Sequence, residues 1–297
     1  MSPRPHHELV LQRAREHFES LQQETARWLE GEHYEVIVKP DDEWPGYSAV
    51  FIRGEDPPNY PTSAIIGDCL HNLRSSLDLL VYELAASYTK PLPDNFTETS
   101  EFPIFGDRSK NGKSGMGSAL FRDNGLRKIR GINPLAQAEI QRLQPYHCGP
   151  AYTEHPLWVL HELDRVSKHR LLHTVAAFSN GLMINSNIAR RLIDHAKITP
   201  SPGVGQPLPV GTARYRLEAG CIEVVGGIVT QQETRFFRLP IPTDIPEAEV
   251  KMNLNSAMGI AFRDITGSAE PQFVVELLAR LYNYIATEVL PPIEPYL

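Results

Sequence analysis

Between residues 62 and 88 a long apolar run is interrupted by Asp68, His71, Arg74, Ser75, Asp78 and Tyr82. At 100° per residue these side chains fall on one arc of a helix and meet at i, i+3 and i+4 spacings. The adjoining arc holds Ile66, Cys69, Leu70, Leu73, Leu77, Leu80, Val81 and Leu84, the expected core face. Titratable groups at the edge of a buried face have their proton affinities shifted by burial and by neighbouring charge, which is how general acids and bases are made. The same Arg74 and Asp78 read equally well as a solvated ion pair worth about 0.3–0.5 kcal/mol.

A second stretch, PLWVLHELDRVSKHRLLH from Pro156 to His173, reads as another long helix with Val159, Leu160, Leu163 and Val166 on its apolar arc. Arg170 projects into that arc. An uncompensated guanidinium there would cost several kcal/mol, so a carboxylate or an anionic ligand must meet it. The expectation is that Arg170 meets Asp78 or Asp68, giving the two helices one polar seam that also contains His71 and Arg74. Two readings follow. In a binding protein the seam holds an anionic group or simply fixes helix register. In a phosphodiester-acting enzyme, Arg74 and Arg170 hold phosphate, His71 acts as general acid or base, and Asp78 orients it.

The elements that must position this seam follow from periodicity. Residues 8–30 carry Leu11, Ala14, Phe18, Leu21 and Trp28 at helical spacing and stop at Gly31. HYEVIVK and YSAVFIR flank the turn-rich PDDEWPG as a hairpin, and Thr62 or Ser63 can cap the first long helix. Residues 89–128, with Pro91, Pro93 and five glycines, read as a long loop with an extended piece at EFPIF. A short helix from Pro134 to Leu143 follows and is stopped by Pro145. From Thr174 to about Phe262 the pattern turns to strands: TVAAF, LMIN, RYRLEA, CIEVV, TRFFRLPI, VKMNL and GIAF, with Ser179-Asn180-Gly181 as a hairpin turn. Residues 270–289 close as a helix with Phe273, Val274, Leu277, Leu278, Leu281 and Ile285 on one face. The fold class expected is α+β, a helical layer packed against a mainly antiparallel sheet with a C-terminal helix. Residues 1–173 and 174–297 would form its two parts, or one continuous domain.

Composition narrows the function classes. With 22% charged and 41% hydrophobic residues the chain is globular in type. A net charge of -7 removes the overall basic field that non-specific nucleic-acid binding needs, so any RNA contact requires a local patch. Eight Lys or Arg between Lys90 and Arg130, and the group Arg165, Lys168, His169 and Arg170, are the places for one. Cys69, Cys148 and Cys221 are odd in number and widely spaced, which points to a reducing cytoplasm and not to a disulfide framework. No apolar leader or spanning segment is evident, so no membrane partner is expected.

The runs IGDCLHNLRSSLDLLVYELA, EFPIF, IQRLQPYH and PLWVLHELDRVSKHRLLH resemble a widespread group of uncharacterised bacterial proteins marked by L-H-N-L-R-S-x-L-D-H and D-K-H-R. The likeness spans about residues 8–173 and brings no activity with it. Leu79 stands where that group has His, and Ser167 where it often has Asp. In its usual form the first motif resembles the R-x4-6-H signature of HEPN-type ribonucleases, in which Arg and His act on an RNA phosphodiester. Here Arg74 matches the arginine and the histidine is missing.

Two further motifs fail on mechanics. His169 and His173 have the i, i+4 spacing of a metal pair, with His71, His161 or Asp164 as conceivable third ligands, but Arg170 follows His169 where a metalloprotease has Glu. GDRSKNGKSG is one residue too long for a phosphate loop, and glycines follow where a helix should begin. The expectation is therefore no cofactor and no metal, with an anionic ligand or RNA as partner. Paired amphipathic helices are compatible with a homodimer.

Overall fold

The computed structural model describes residues 4–31, 33–40, 47–54, 57, 59–107, 116–178, 214–218, 221–225, 227–228, 234–241, 258–262 and 272–297. They combine helices with antiparallel strands and form two compact units. The first unit comprises Met1–Leu21, Ala64–Leu171 and Val275–Leu297; the second comprises Gln22–Ser63 and Leu172–Val274. This differs from a split at residue 173. The N-terminal hairpin pairs with a strand some 190 residues away and so joins the later strands, while most of the C-terminal helix joins the helical unit. Such non-local strand pairing leaves no mark in local periodicity.

Helix α1 (His6–Leu29) opens the helical unit with its residues up to Leu21; of the stripe expected on it, Leu11, Ala14, Leu21 and Trp28 are buried and Phe18 is half-buried. Glu8 in its first turn and Arg27 in its last complement the helix dipole. Helix α2 (Asn59–Tyr88) starts before the expected caps, with Pro61 in its first turn, a position where a missing N–H costs nothing. Ser63 instead donates its hydroxyl to the Leu172 carbonyl within the second unit. All eight residues of the expected core face are at most 1% exposed.

After α3 (Phe96–Thr99), the EFPIF segment is buried at Phe102, Pro103 and Ile104 but forms no strand. Helix α4 (Gly117–Leu120) continues through a π-helical turn, Phe121–Gly125, into α5 (Leu126–Lys128). Gly117 is required by close approach, since a Cβ there would lie 2.2 Å from Tyr146 Cβ and 2.9 Å from the Gly106 carbonyl. Helix α6 (Pro134–Arg142) is capped by Asn133, whose Oδ1 accepts the Leu135 N–H at 2.9 Å.

A 3-10 segment, Pro145–Glu154, leads to α7 (Pro156–Ser167). This helix stops six residues short of the expected end. Lys168 closes it by donating its backbone N–H to Asp164 and Val166, and the chain turns toward the strand that starts at Thr174. The C-terminal helix runs as α8 (Val274–Tyr284), a π-helical turn Ile285–Val289 and α9 (Leu290–Ile293). No helix among the described residues is long and apolar enough to cross a membrane.

In the second unit β1 (Tyr34–Pro40) and β2 (Tyr47–Gly54) form the expected hairpin, with Val36 opposite Ile52 and Val38 opposite Val50. Strands β3 (Thr174–Phe178), β4 (Arg214–Glu218), β5 (Cys221–Val225), β6 (Gly227–Ile228), β7 (Thr234–Ile241) and β8 (Met258–Phe262) follow. They pair in the orders β1–β2–β7, β6–β3–β8 and β4–β5, every pair antiparallel. Phe273 packs on Val175 and Ala261, and its ring lies where a Cβ at Gly259 would come within 2.7 Å. The LMIN and VKMNL segments and the Ser179-Asn180-Gly181 turn lie outside the described residues, as does most of the GDRSKNGKSG loop.

Leu77 is fully buried on α2, whereas Leu135 on α6 is 62% exposed. Leu77→Ala is expected to destabilise the protein by about 2–5 kcal/mol through lost burial and a cavity. Leu135→Ala should stay within about 0.5 kcal/mol. Urea unfolding of the two variants beside the parent chain measures both.

Candidate functional site

The cluster expected on α2 separates into two neighbouring groups, both in the helical unit. The first is built on Arg74, which is 4% exposed. Its Nη2 donates to Glu101 Oε1 at 2.7 Å and to the Phe102 carbonyl at 2.8 Å, and lies 3.2 Å from Asp78 Oδ1. Asp78 in turn accepts the Phe102 N–H at 2.8 Å. Two α2 side chains one turn apart thus take both backbone polar groups of Phe102, which is why that segment is fixed without a strand partner. Gln144 completes the arrangement: its amide donates to Pro103 O at 2.8 Å and its carbonyl accepts the Phe105 N–H at 3.0 Å.

Glu101 is shared between two cations, since its other oxygen accepts from Lys128 Nζ at 2.8 Å. Burial alone would raise its carboxyl, but the hydrogen bond from Lys128 and the charge of Arg74 outweigh that and hold it below the usual carboxylate range. Asp78 goes the other way. Burial raises it, and the opposing pull of Arg74 and of the Phe102 N–H does not fully compensate. His161, from α7, is half-buried close to this group. Burial first, and then the Arg74 charge, push its imidazole below the ordinary value, so the ring is neutral near pH 7.

The second group contains His71, which does not meet Asp78. His71 is exposed, with Nδ1 3.7 Å from Asp164 Oδ1 and Nε2 3.5 Å from Ser75 Oγ. Asp164 is 4% exposed and is held by Lys168, whose Nζ lies 2.7 Å from Oδ2. The carboxylate near His71 is therefore Asp164 of α7, beyond hydrogen-bond distance.

Arg170 is exposed and lies beyond the end of α7, so the apolar arc on which it was expected does not extend to it. The guanidinium buried beside Asp78 is Arg74. His169 and His173 are likewise off the helix and exposed, which removes the shared face that would let both bind one metal. Glu101 entered the sequence reading only as the first residue of EFPIF, Lys128 only among the eight Lys or Arg between Lys90 and Arg130, and His161 and Asp164 only as conceivable metal ligands. The only signal for Glu101 was its position next to the buried PIF run.

A scan against protein-family models, a search of curated proteins and a search of solved structures each return no match for this chain. One feature stands out chemically: Arg74 Nη1 is buried and has no hydrogen-bond acceptor among the described residues, and neither has Asp164 Oδ1 a donor. Buried polar atoms without partners are rare in native proteins and cost about 1–3 kcal/mol each.

Truncation of Arg74 should leave Glu101 and Asp78 facing an apolar side chain, so Arg74→Met is expected to cost about 3 kcal/mol or more in chemical denaturation. For pH, the lowered His161 means that the unfolded chain binds its proton more readily. The stability it contributes is present above 6.5 and is lost as pH falls toward the lowered folded value, and His155, lowered by burial, adds in the same direction. Glu101 continues that loss below 4.5, while the raised Asp78 opposes it, favouring the fold at low pH. Stability measured downward from pH 6.5 should decline, and His161→Asn should flatten that decline.

Proposed function

We propose that this is a binding or interaction protein of a reducing compartment, whose polar site beside α2 and α7 receives an anionic group on Arg74. The observation that carries the reading is the unmet Nη1 donor. Arg74 is anchored on one side by Glu101 and Phe102, so the guanidinium is preorganised, and its Nη1 N–H groups await an oxygen. The charges already present, Arg74, Lys128 and Lys168 against Asp78, Glu101 and Asp164, balance formally. Binding would thus rest on a directed hydrogen bond more than on net charge, and a small carboxylate or a phosphate monoester suits it better than a long polyanion. Cys69 and Cys148 carry free thiols, in keeping with a reducing environment.

Inorganic phosphate and acetate, titrated separately in a thermal-unfolding assay, test this directly. One of them should raise the melting temperature of the parent protein and leave Arg74→Lys unmoved, because lysine keeps the charge and loses the fork. Equal shifts in both proteins, or none in either, would overturn the reading.

A second reading is favoured by half-buried His161 on α7, whose proton affinity is lowered by burial first and then by the charge of Arg74. An arginine that holds phosphate beside a neutral imidazole is the pairing a phosphodiester-cleaving enzyme needs, and the HEPN-like resemblance pointed to that chemistry with Arg74 and His71. Single-stranded RNA incubated with the parent chain, Arg74→Lys, His161→Asn and His71→Asn decides it. The reading predicts cleavage by the parent that falls at least tenfold in Arg74→Lys and in one histidine variant. No cleavage by any of the four removes it.

A further inference from the structure

On another side of the helical unit, a second set of titratable side chains converges where the start of α1, the last turns of α2 and the C-terminal segment meet. His7 is fully buried and sits among three carboxylates, Glu8, Glu83 and Glu294. Glu83 holds it from α2: Oε1 accepts the His6 backbone N–H at 2.6 Å, and Oε2 is in close contact with His7 Nδ1. That contact fixes the imidazole tautomer with its proton on Nδ1 and leaves the Nε2 lone pair directed away from Glu83.

Nε2 faces Glu294 Oε1 at 3.5 Å, the outer limit of a hydrogen bond. The same separation is close to the edge of a coordination shell: two donors on one tetrahedral ion, each bonded at about 2.0–2.1 Å, stand roughly 3.3 Å apart. One ring nitrogen of His7, one carboxylate oxygen of Glu8 and one of Glu294 all lie within 4.8 Å of one another. No lysine or arginine among the described residues forms an ion pair with Glu8 or Glu294. Three carboxylates around a single imidazole carry an excess of negative charge even if the ring is protonated, and a divalent cation would cancel it.

We infer that His7, Glu8 and Glu294 form a binding site for one first-row divalent cation, with Glu83 as the carboxylate that orients the histidine. A carboxylate behind the ligating imidazole is the usual outer-shell partner of such sites. One nitrogen and two oxygens suit Zn²⁺ or Mn²⁺ and leave positions for water. Glu8 is exposed and Glu294 half-exposed, so the ion has a path in. The cation would tie the start of α1 to the segment around Glu294, a structural role separate from Arg74.

The test is titration of Zn²⁺, and separately Mn²⁺, into chelator-stripped full-length protein by calorimetry, with thermal unfolding read in parallel. The expected result is one ion per chain, a higher melting temperature with metal, and at least tenfold weaker binding in Glu294→Gln and in Glu8→Gln. Both positions are solvent-accessible, so these variants should fold, which circular dichroism confirms. Glu83→Gln should weaken binding about 10–100-fold without removing a ligand. Failure of the parent to bind either ion, or binding undiminished in both Glu294→Gln and Glu8→Gln, would overturn the inference.

Discussion

A guanidinium inside a helical core can persist only where acceptors are brought to it, and the helical unit of this protein is organised around that demand. Arg74 leaves the apolar face of α2 and is met by Glu101 and by the carbonyl of Phe102, while Asp78, one turn on, takes the Phe102 N–H. A buried, non-periodic segment is thereby held as firmly as a strand would be, with side chains supplying the partners that a sheet would otherwise provide. Phe102 and Ile104 then pack into the core, and Gln144 fastens Pro103 and Phe105 to the end of α6. The ion network and the local fold are one object: neither the charge nor the backbone is satisfied without the other.

The electrostatics follow from the same arrangement. Burial pulls Asp78 and Glu101 toward the neutral form, yet only Asp78 ends raised, because Glu101 also accepts a direct hydrogen bond from Lys128. His161 is kept neutral by burial and by that shared positive charge. Two carboxylates and one imidazole within one neighbourhood thus have distinct proton affinities, set first by burial and then by the hydrogen bonds and charges each one meets. His71 stands apart from this group, paired loosely with Asp164.

Helical periodicity made α1, α2 and the C-terminal helix legible, since a stripe such as Ile66, Leu70, Leu73, Leu77 and Leu84 has one plausible burial. The N-terminal hairpin and the strands from Thr174, Arg214, Cys221 and Thr234 were legible for the corresponding reason, alternation bounded by turns. The end of α7 was not. Its apolar spacing continues past Ser167, and what stops it is the turn at Lys168 and the pairing of Thr174 with Phe262, a contact that no local window contains. Arg170 was misplaced by that same extension. The Arg74 partners were hidden by distance along the chain: Glu101 lies 27 residues away, in a stretch whose prolines and glycines read as loop. The arginine that is buried and met by a carboxylate is Arg74, whereas Arg170 is exposed.

The account depends on Arg74 and Glu101 being energetically coupled and not merely adjacent. A double-mutant cycle with Arg74→Met, Glu101→Gln and the combined variant, read by equilibrium denaturation, measures that coupling. A coupling of about 1–3 kcal/mol is predicted, reduced from the fully buried limit because Glu101 is 39% exposed. A value below about 0.5 kcal/mol, typical of independent surface charges, would contradict the account.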